Sequence, residues 1–168
     1  MKHPREDEQR SVDLQQARAG KYLTFALASE EYGLPVLRVR EIIKMMGITA
    51  VPQVPHYVRG VINLRGKVIA VVDLRLKFNL DAIPAGDRTA IIVVELDLPA
   101  GRTLVGVLVD AVSEVLNIVP DEIEPTPTFG GQVDTTFMLG IAKVKGTVKI
   151  LLDLNRVFDA EGALPRVA

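Results

Sequence analysis

From Tyr22 to Leu27 the side chains alternate, with Tyr22, Thr24 and Ala26 on one side and Leu23, Phe25 and Leu27 on the other. Period-two alternation predicts a strand, and "SEEYG" at residues 29–33 predicts a hairpin turn after it. In "PVLRVREIIKMM" the apolar positions Val36, Val39, Ile42, Ile43 and Met46 fit a helical stripe, and Pro35 suits a first turn. The β-branched "REII" fits a strand equally well, so the segment is read as a helical turn running into a strand. "ITAVPQVPHYVRG" is a proline-rich connection. "GVINLRGKVIAVVDL" predicts a hairpin turning at Arg65–Lys67, with Gly66 supplying the positive φ of a tight turn. Asp73 then precedes the short amphipathic "LRLKF" and is placed to cap it, because a carboxylate accepts free N–H groups at a helix start.

After the loop "NLDAIPAGD", "RTAIIVVELD" and "RTLVGVLVD" read as strands joined through "LPAG". "AVSEVLNIV", a turn-rich stretch from Pro120 to about Thr136, a second hairpin and "LNRVFDAEG" complete the chain.

The second hairpin repeats the first. "GVINLRGKVIAVVDLRLKF" at residues 60–78 returns as "GIAKVKGTVKILLDLNRVF" at residues 140–158. Gly60 aligns with Gly140, Gly66 with Gly146, Asp73 with Asp153 and Phe78 with Phe158. A second alignment matches Gly33 with Gly106, Glu41 with Glu114, and the stripe Val36, Val39, Ile42, Ile43, Met46 with Val109, Val112, Val115, Leu116, Val119. The same order of strand, turn and hairpin therefore occurs twice. This predicts two small β-barrels of similar design, spanning roughly residues 30–80 and 88–158. They would pack together because neither is large enough to be secure alone. Residues 1–20 and 161–168 read as tails.

Composition narrows the class. A chain of 168 residues, 48% apolar and only 5% aromatic, suits a folded β-rich protein with a real core. A net charge of −1 and scattered aromatics give no clustered basic face for nucleic acid. There is no cysteine, hence no disulfide framework and no thiolate nucleophile. The polar start has no apolar core of a secretory signal, and no apolar run approaches the ~18 residues of a membrane span. The sequence reads as cytoplasmic.

Catalytic chemistry finds little footing. Histidine occurs only at His3 and His56, with no second histidine near either to share a metal. No Gly-x-Ser-x-Gly turn and no glycine-rich phosphate loop is present. "GGQ" at residues 130–132 resembles a translation-factor hydrolysis motif, but three residues in a turn-rich loop carry no weight. The acidic "DEIEP" lacks the spaced ligands of a calcium loop and reads as a solvated face. Asp73 and Asp153, each just before a short helix, read as caps rather than as paired catalytic carboxylates. What remains is surface. Met45 and Met46 suit either core filling or an adaptable contact face. Arg65 at a hairpin tip is either simply solvated or an interaction handle, with Glu41 a candidate partner for its five-donor fork.

"EEYGLPVLRVREII", "GVINLRGKVIAVVDLRLKF" and "VGVLVDAVSEVL", in that order, resemble the CheW family over about Tyr22 to Phe158. "NLRG" followed by "VVDLR" is the most specific part. The resemblance implies a mainly β fold of two SH3-like five-stranded β-barrels around a shared core, with a few short helices, over residues 21–160. It implies a non-enzymatic adaptor that links chemoreceptors to the regulatory domain of the histidine kinase CheA, with no cofactor, metal, nucleic acid or membrane insertion. The protein would be cytoplasmic and recruited to receptor arrays. By the same resemblance, Arg65, Gly60, Asn63, Ala90, Gly106 and Val112 belong to receptor binding, and Val39, Glu41, Ile43 and Met46 to kinase binding. An adaptor of a related pilus-motility or other chemosensory-type system is the alternative. The turn "LDLPAG" looks longer than the family pattern needs and would alter one edge of the second half.

Overall fold

The computed structural model describes residue 9 and residues 17–99, 101–125 and 136–159. Most of the two expected tails, and the "GGQ" tripeptide, lie outside the described residues.

The chain opens with the hairpin β1 (Gly20–Leu27) and β2 (Glu30–Pro35). A 3-10 turn at Val36–Arg38 leads directly into β3 (Val39–Lys44), the helical turn and strand expected there. The first repeat hairpin is β4 (Val58–Leu64) and β5 (Lys67–Asp73), followed by the one-turn helix α1 (Leu74–Lys77). Then come β6 (Ala90–Leu98), β7 (Gly101–Val109), β8 (Ala111–Ile118) and the two-residue β9 (Ile123–Glu124). The second hairpin is β10 (Met138–Val144) and β11 (Thr147–Leu152), and α2 (Leu154–Asp159) follows. Asp73 caps α1 as expected, its carboxylate accepting the Arg75 N–H at 3.0 Å.

One sheet has five strands in the order β3-β6-β7-β5-β4, and the other has six in the order β8-β1-β2-β11-β10-β9. The sixth strand of the second sheet is the short β9. The sheets exchange strands between the contiguous halves 30–80 and 88–158. β1 and β2 join β8–β11, while β6 and β7 join β3–β5. Parallel pairing of β2 with β11 and of β5 with β7 carries this exchange. A parallel pair needs a long crossover rather than a tight turn, so neighbours in the sheet are distant in sequence. No local periodicity announces it.

The chain closes each barrel the same way. After edge strand β3 it bends back, and Thr49 forms a bridge with Val61 of β4. After β8 it bends at Pro120 and β9 pairs with β10. The backbone hydrogen bond from Asp73 N–H to the Tyr57 carbonyl, 2.7 Å, recurs from Asp153 N–H to the Phe137 carbonyl, 2.8 Å. The duplication is therefore structural.

Three apolar clusters follow. Ile62, Ile69, Val71, Ile91 and Val93 fill one barrel. Tyr22, Ile118, Ile123, Ala142 and Leu151 fill the other. Between the barrels lies the largest, which includes Leu23, Phe25, Leu34, Val72, Ile92, Val94, Leu152 and Phe158. Strand alternation sends Ile91 and Val93 one way and Ile92 and Val94 the other. This is why "AIIVV" is apolar without a break: both its faces are buried. The aromatic rings cross between repeats. Tyr57 packs on Phe158 and Phe137 on Phe78, with centroids 6.5 and 5.8 Å apart.

Candidate functional site

The β4–β5 hairpin turns through Arg65 and Gly66, with φ of 51° and 86°. Leu64 pairs directly with Lys67, so the loop has two residues, both with positive φ, as in a type I′ turn. Asn63 fixes it further, its Oδ1 accepting the Gly66 N–H at 2.8 Å. A short loop held this way presents Arg65 on a stiff support.

Arg65 donates to Glu41 of β3 through both terminal nitrogens, NH1 to Oε1 at 2.9 Å and NH2 to Oε2. The Arg65 side chain is 71% exposed and that of Glu41 29%, so the pair faces solvent. Hydrogen bonding from Arg65 holds the Glu41 carboxyl below the usual carboxylate range, and Glu41 raises the arginine in turn. Glu41 lies on the half-buried side of its strand. A register shift between Val39 and Glu41 turns it to the half-buried face with Ile43, while Ile42 points out. The repeat lacks this pair: among the described residues no ion pair joins Lys145 to Glu114, the residues in the matching places.

Around the pair lies a charged lattice. Arg40 NH2 reaches Glu95 at 2.6 Å, and Arg38 NH1 reaches Asp97 at 2.8 Å. Arg102 makes longer contacts to both acids, 3.5 Å to Glu95 and 3.3 Å to Asp97. Sequence reading missed Arg40, Glu95 and Arg102. The only signal was the extended "LDLPAGR" turn, and their convergence depends on β3, β6 and β7 lying side by side. Ile42, Met46 and Val68 are also exposed, at 45%, 37% and 42%. Met45 instead packs against a barrel core, so the two neighbouring methionines divide between the two expected roles.

The remaining expected positions are dispersed. Ala90 and Gly106 are buried in β6 and β7 and offer no side chain to a partner. A β-carbon on Gly106 would meet the Ile91 side chain at 2.8 Å. Gly60 is buried where the chain closes its barrel. Val39 and Val112 are half-buried against the shared core, and Ile43 against the first barrel's core. Arg65, Asn63, Glu41 and Met46 keep accessible side chains. His56 is an exposed loop residue whose Nε2 lies 3.2 Å from the Leu76 carbonyl oxygen. Among the described residues, no group of three or more His, Cys, Asp or Glu is placed to hold a metal ion. No helix among them is long and apolar enough to cross a membrane.

Comparison with known proteins fits this architecture. A family model described as the CheW-like domain matches residues 21–162. The chemotaxis protein CheW of Bacillus subtilis is 37% identical over 145 residues, covering 85% of this chain and 89% of that protein. That of Klebsiella aerogenes is 33% identical over 141 residues, 84% of this chain and 82% of its own length. The crystal structure of the scaffolding protein TtCheW from Thermoanaerobacter tengcongensis superposes with a TM-score of 0.76 at 36% identity. It covers 89% of this chain and 99% of that one.

Proposed function

The chain belongs to the CheW-like family of chemotaxis scaffolds, and on that premise we propose that it is a non-enzymatic adaptor coupling transmembrane chemoreceptors to the histidine kinase CheA. The observation that carries this reading is the Arg65–Glu41 pair: a bidentate, solvent-facing pair on a stiff hairpin, present in one copy of the repeat only. Exposed Ile42, Met46 and Val68 on the supporting segments add an apolar contact area. A planar guanidinium with charged and aliphatic neighbours suits protein recognition more than catalysis.

In this reading Glu41 and Met46 contact the kinase regulatory domain. Val39 and Ile43 support them from beneath. Arg65 and Asn63 were expected at the receptor and Glu41 at the kinase, yet Arg65 and Glu41 form one unit. A change at Arg65 therefore disturbs both contacts. Val112, at the shared core's margin, belongs to the receptor side. Gly60, Ala90 and Gly106 set the backbone that holds these surfaces. The protein works in the cytoplasm and is recruited to membrane receptor arrays. Micromolar contacts, each about −8 kcal/mol, suffice there, because several in one lattice raise the effective concentration of each partner.

The test is capture of CheA and of a receptor cytoplasmic fragment from the same cell by the purified protein, with and without Arg65→Glu. Wild type should hold both, and the folded variant should lose at least one. Capture of neither partner by the wild type overturns the reading.

A further inference from the structure

Beside the Arg65–Glu41 pair is a cleft of about 410 Å³. Its floor includes Leu64, Val93 and Leu104, and its charged lining is Arg40, Arg65, Lys67 and Arg102 against Glu41 and Glu95. Four cations face two anions in a chain whose net charge is −1. Both anions are already served at short range, Glu41 by both nitrogens of Arg65 and Glu95 by Arg40 at 2.6 Å. Just outside, Arg38 holds Asp97 at 2.8 Å.

That leaves two cations in surplus. Arg102, 77% exposed, reaches only carboxylates that another arginine holds more closely. Lys67 has no ion pair among the described residues and begins β5 right after the turn that carries Arg65. The geometry points to a receptor site for an acidic side chain of a protein partner, an aspartate or glutamate flanked by an aliphatic residue. The carboxylate lies between Lys67 and the fork of Arg102. The aliphatic neighbour covers Leu64 and Leu104.

The physical case is complementarity. Arg102 faces Asp97 through Nε at 3.3 Å and Glu95 through NH1 at 3.5 Å. A partner carboxylate takes the Arg102 NH2 in competition with these long contacts, and Lys67 adds a mobile point charge. An apolar floor strengthens the attraction as water leaves. Because the surplus charge sits at a rim, its effect falls mainly on association rate and salt dependence. The inference rests on the adaptor reading above and names the chemistry of the kinase-side partner. It also gives the long β6–β7 hairpin a role: Asp97 and Arg102 face each other across it.

The experiment is association kinetics of the full chain with the CheA regulatory domain at ~50 mM and ~500 mM salt, a range over which screening shortens several-fold. Wild type is compared with Arg102→Glu, Lys67→Glu and Arg88→Glu. Arg88 sits in an exposed loop away from the cleft and makes the same change in net charge. Melting curves establish that each variant is folded. The expected result is an association rate about tenfold lower at low salt for Arg102→Glu and for Lys67→Glu, equivalent to about 1.4 kcal/mol, with the gap closing at high salt. Arg88→Glu should stay near wild type. Lys67→Glu keeps the test decisive if Arg102→Glu fails to fold. Unchanged kinetics for both cleft variants, or an equal loss in Arg88→Glu, overturns the inference while leaving the adaptor reading in place. Failure of the wild type to bind at all overturns both.

Discussion

The carbonyl oxygen of Thr49 lies 2.0 Å from where a β-carbon on Gly60 would sit. Gly60 also has a φ of 142°, a conformation that L side chains rarely adopt. The close approach exists because Thr49 pairs with Val61, exchanging hydrogen bonds of 2.9 Å in both directions, and so shuts the first barrel. Gly140 has the same role with more room, its nearest contact being 3.2 Å from the Glu124 carbonyl. Gly60→Ala should therefore cost about 2–4 kcal/mol, combining backbone strain with a forced opening of the closure. Gly140→Ala should cost less. Thermal melting of the two variants checks this order, with a drop of about 4–16 °C expected for Gly60→Ala. Equal losses would remove the closure argument.

The Asn63 side chain shapes the tip, its Oδ1 accepting the Gly66 N–H at 2.8 Å. Asn63→Ala removes an exposed hydrogen bond, so global stability should fall by only about 0.5–1 kcal/mol. The tip itself should loosen. Faster amide exchange at Gly66 and weaker capture of the partners, with Arg65 still present, is the expected combination. Full binding with a mobile tip would show that stiffness is dispensable.

Arg75 clamps the two barrels. Its Nε and NH2 donate to Asp110 at 2.7 and 2.8 Å, and NH1 donates to the Asp81 carbonyl. Asp110 also accepts the Ala28 N–H at 2.7 Å, from the turn between β1 and β2. Burial alone would raise the Asp110 pKa, but the hydrogen bonds from Arg75 and Ala28 and the arginine's charge leave it lowered. An ordinary aspartate titrates near ~3.9. With the folded value below that, the stabilisation is complete above pH ~4 and fades as the pH falls through the folded value. Asp110→Asn should cost about 2 kcal/mol at neutral pH, and the gap to wild type should narrow under acid. Urea melts from neutral to strongly acid pH measure both. A gap independent of pH would mean the carboxylate charge is not what holds the clamp.

Lys149 is buried at 5% exposure and pairs with the part-exposed Glu31 of β2. Ile69 occupies the matching place in the first repeat and is buried in its barrel. Taking an ammonium out of water offsets much of the pair's attraction. Lys149→Ile should therefore change stability by no more than about 1 kcal/mol, since Glu31 can turn to solvent. A loss of several kcal/mol in denaturant melts would show that the ion pair is essential to the β2–β11 contact.

Much of this was legible in the chain. Alternation gave β1, the turn around Gly66 gave the β4–β5 hairpin, and the β-branched "REII" gave a strand after the helical turn at Val36. The repeated Gly, Asp and Phe positions marked equivalent hairpins because each position has one strict requirement: a close approach, a helix start, an interbarrel ring. Arg65 and Glu41 were visible as candidates. The burial of Ala90 and Gly106 was not legible, because apolar or small residues in strands look alike whether one face or two is covered. Arg102 was overlooked because one arginine in a polar turn carries no local signal.

By itself the sequence determined the class of fold, the duplication, the tight turn at Arg65–Gly66 and the capped start of α1. Each depends on interactions within a few residues, or on a pattern with a fixed period. Only the tertiary structure decided which strands share a sheet, and with that which charges meet. Parallel pairing of β5 with β7 and β2 with β11 joins segments dozens of residues apart through backbone hydrogen bonds that any sequence can make. Once those pairs form, Glu41 meets Arg65, Arg102 is left as a surplus cation, and Asp110 locks one barrel to the other.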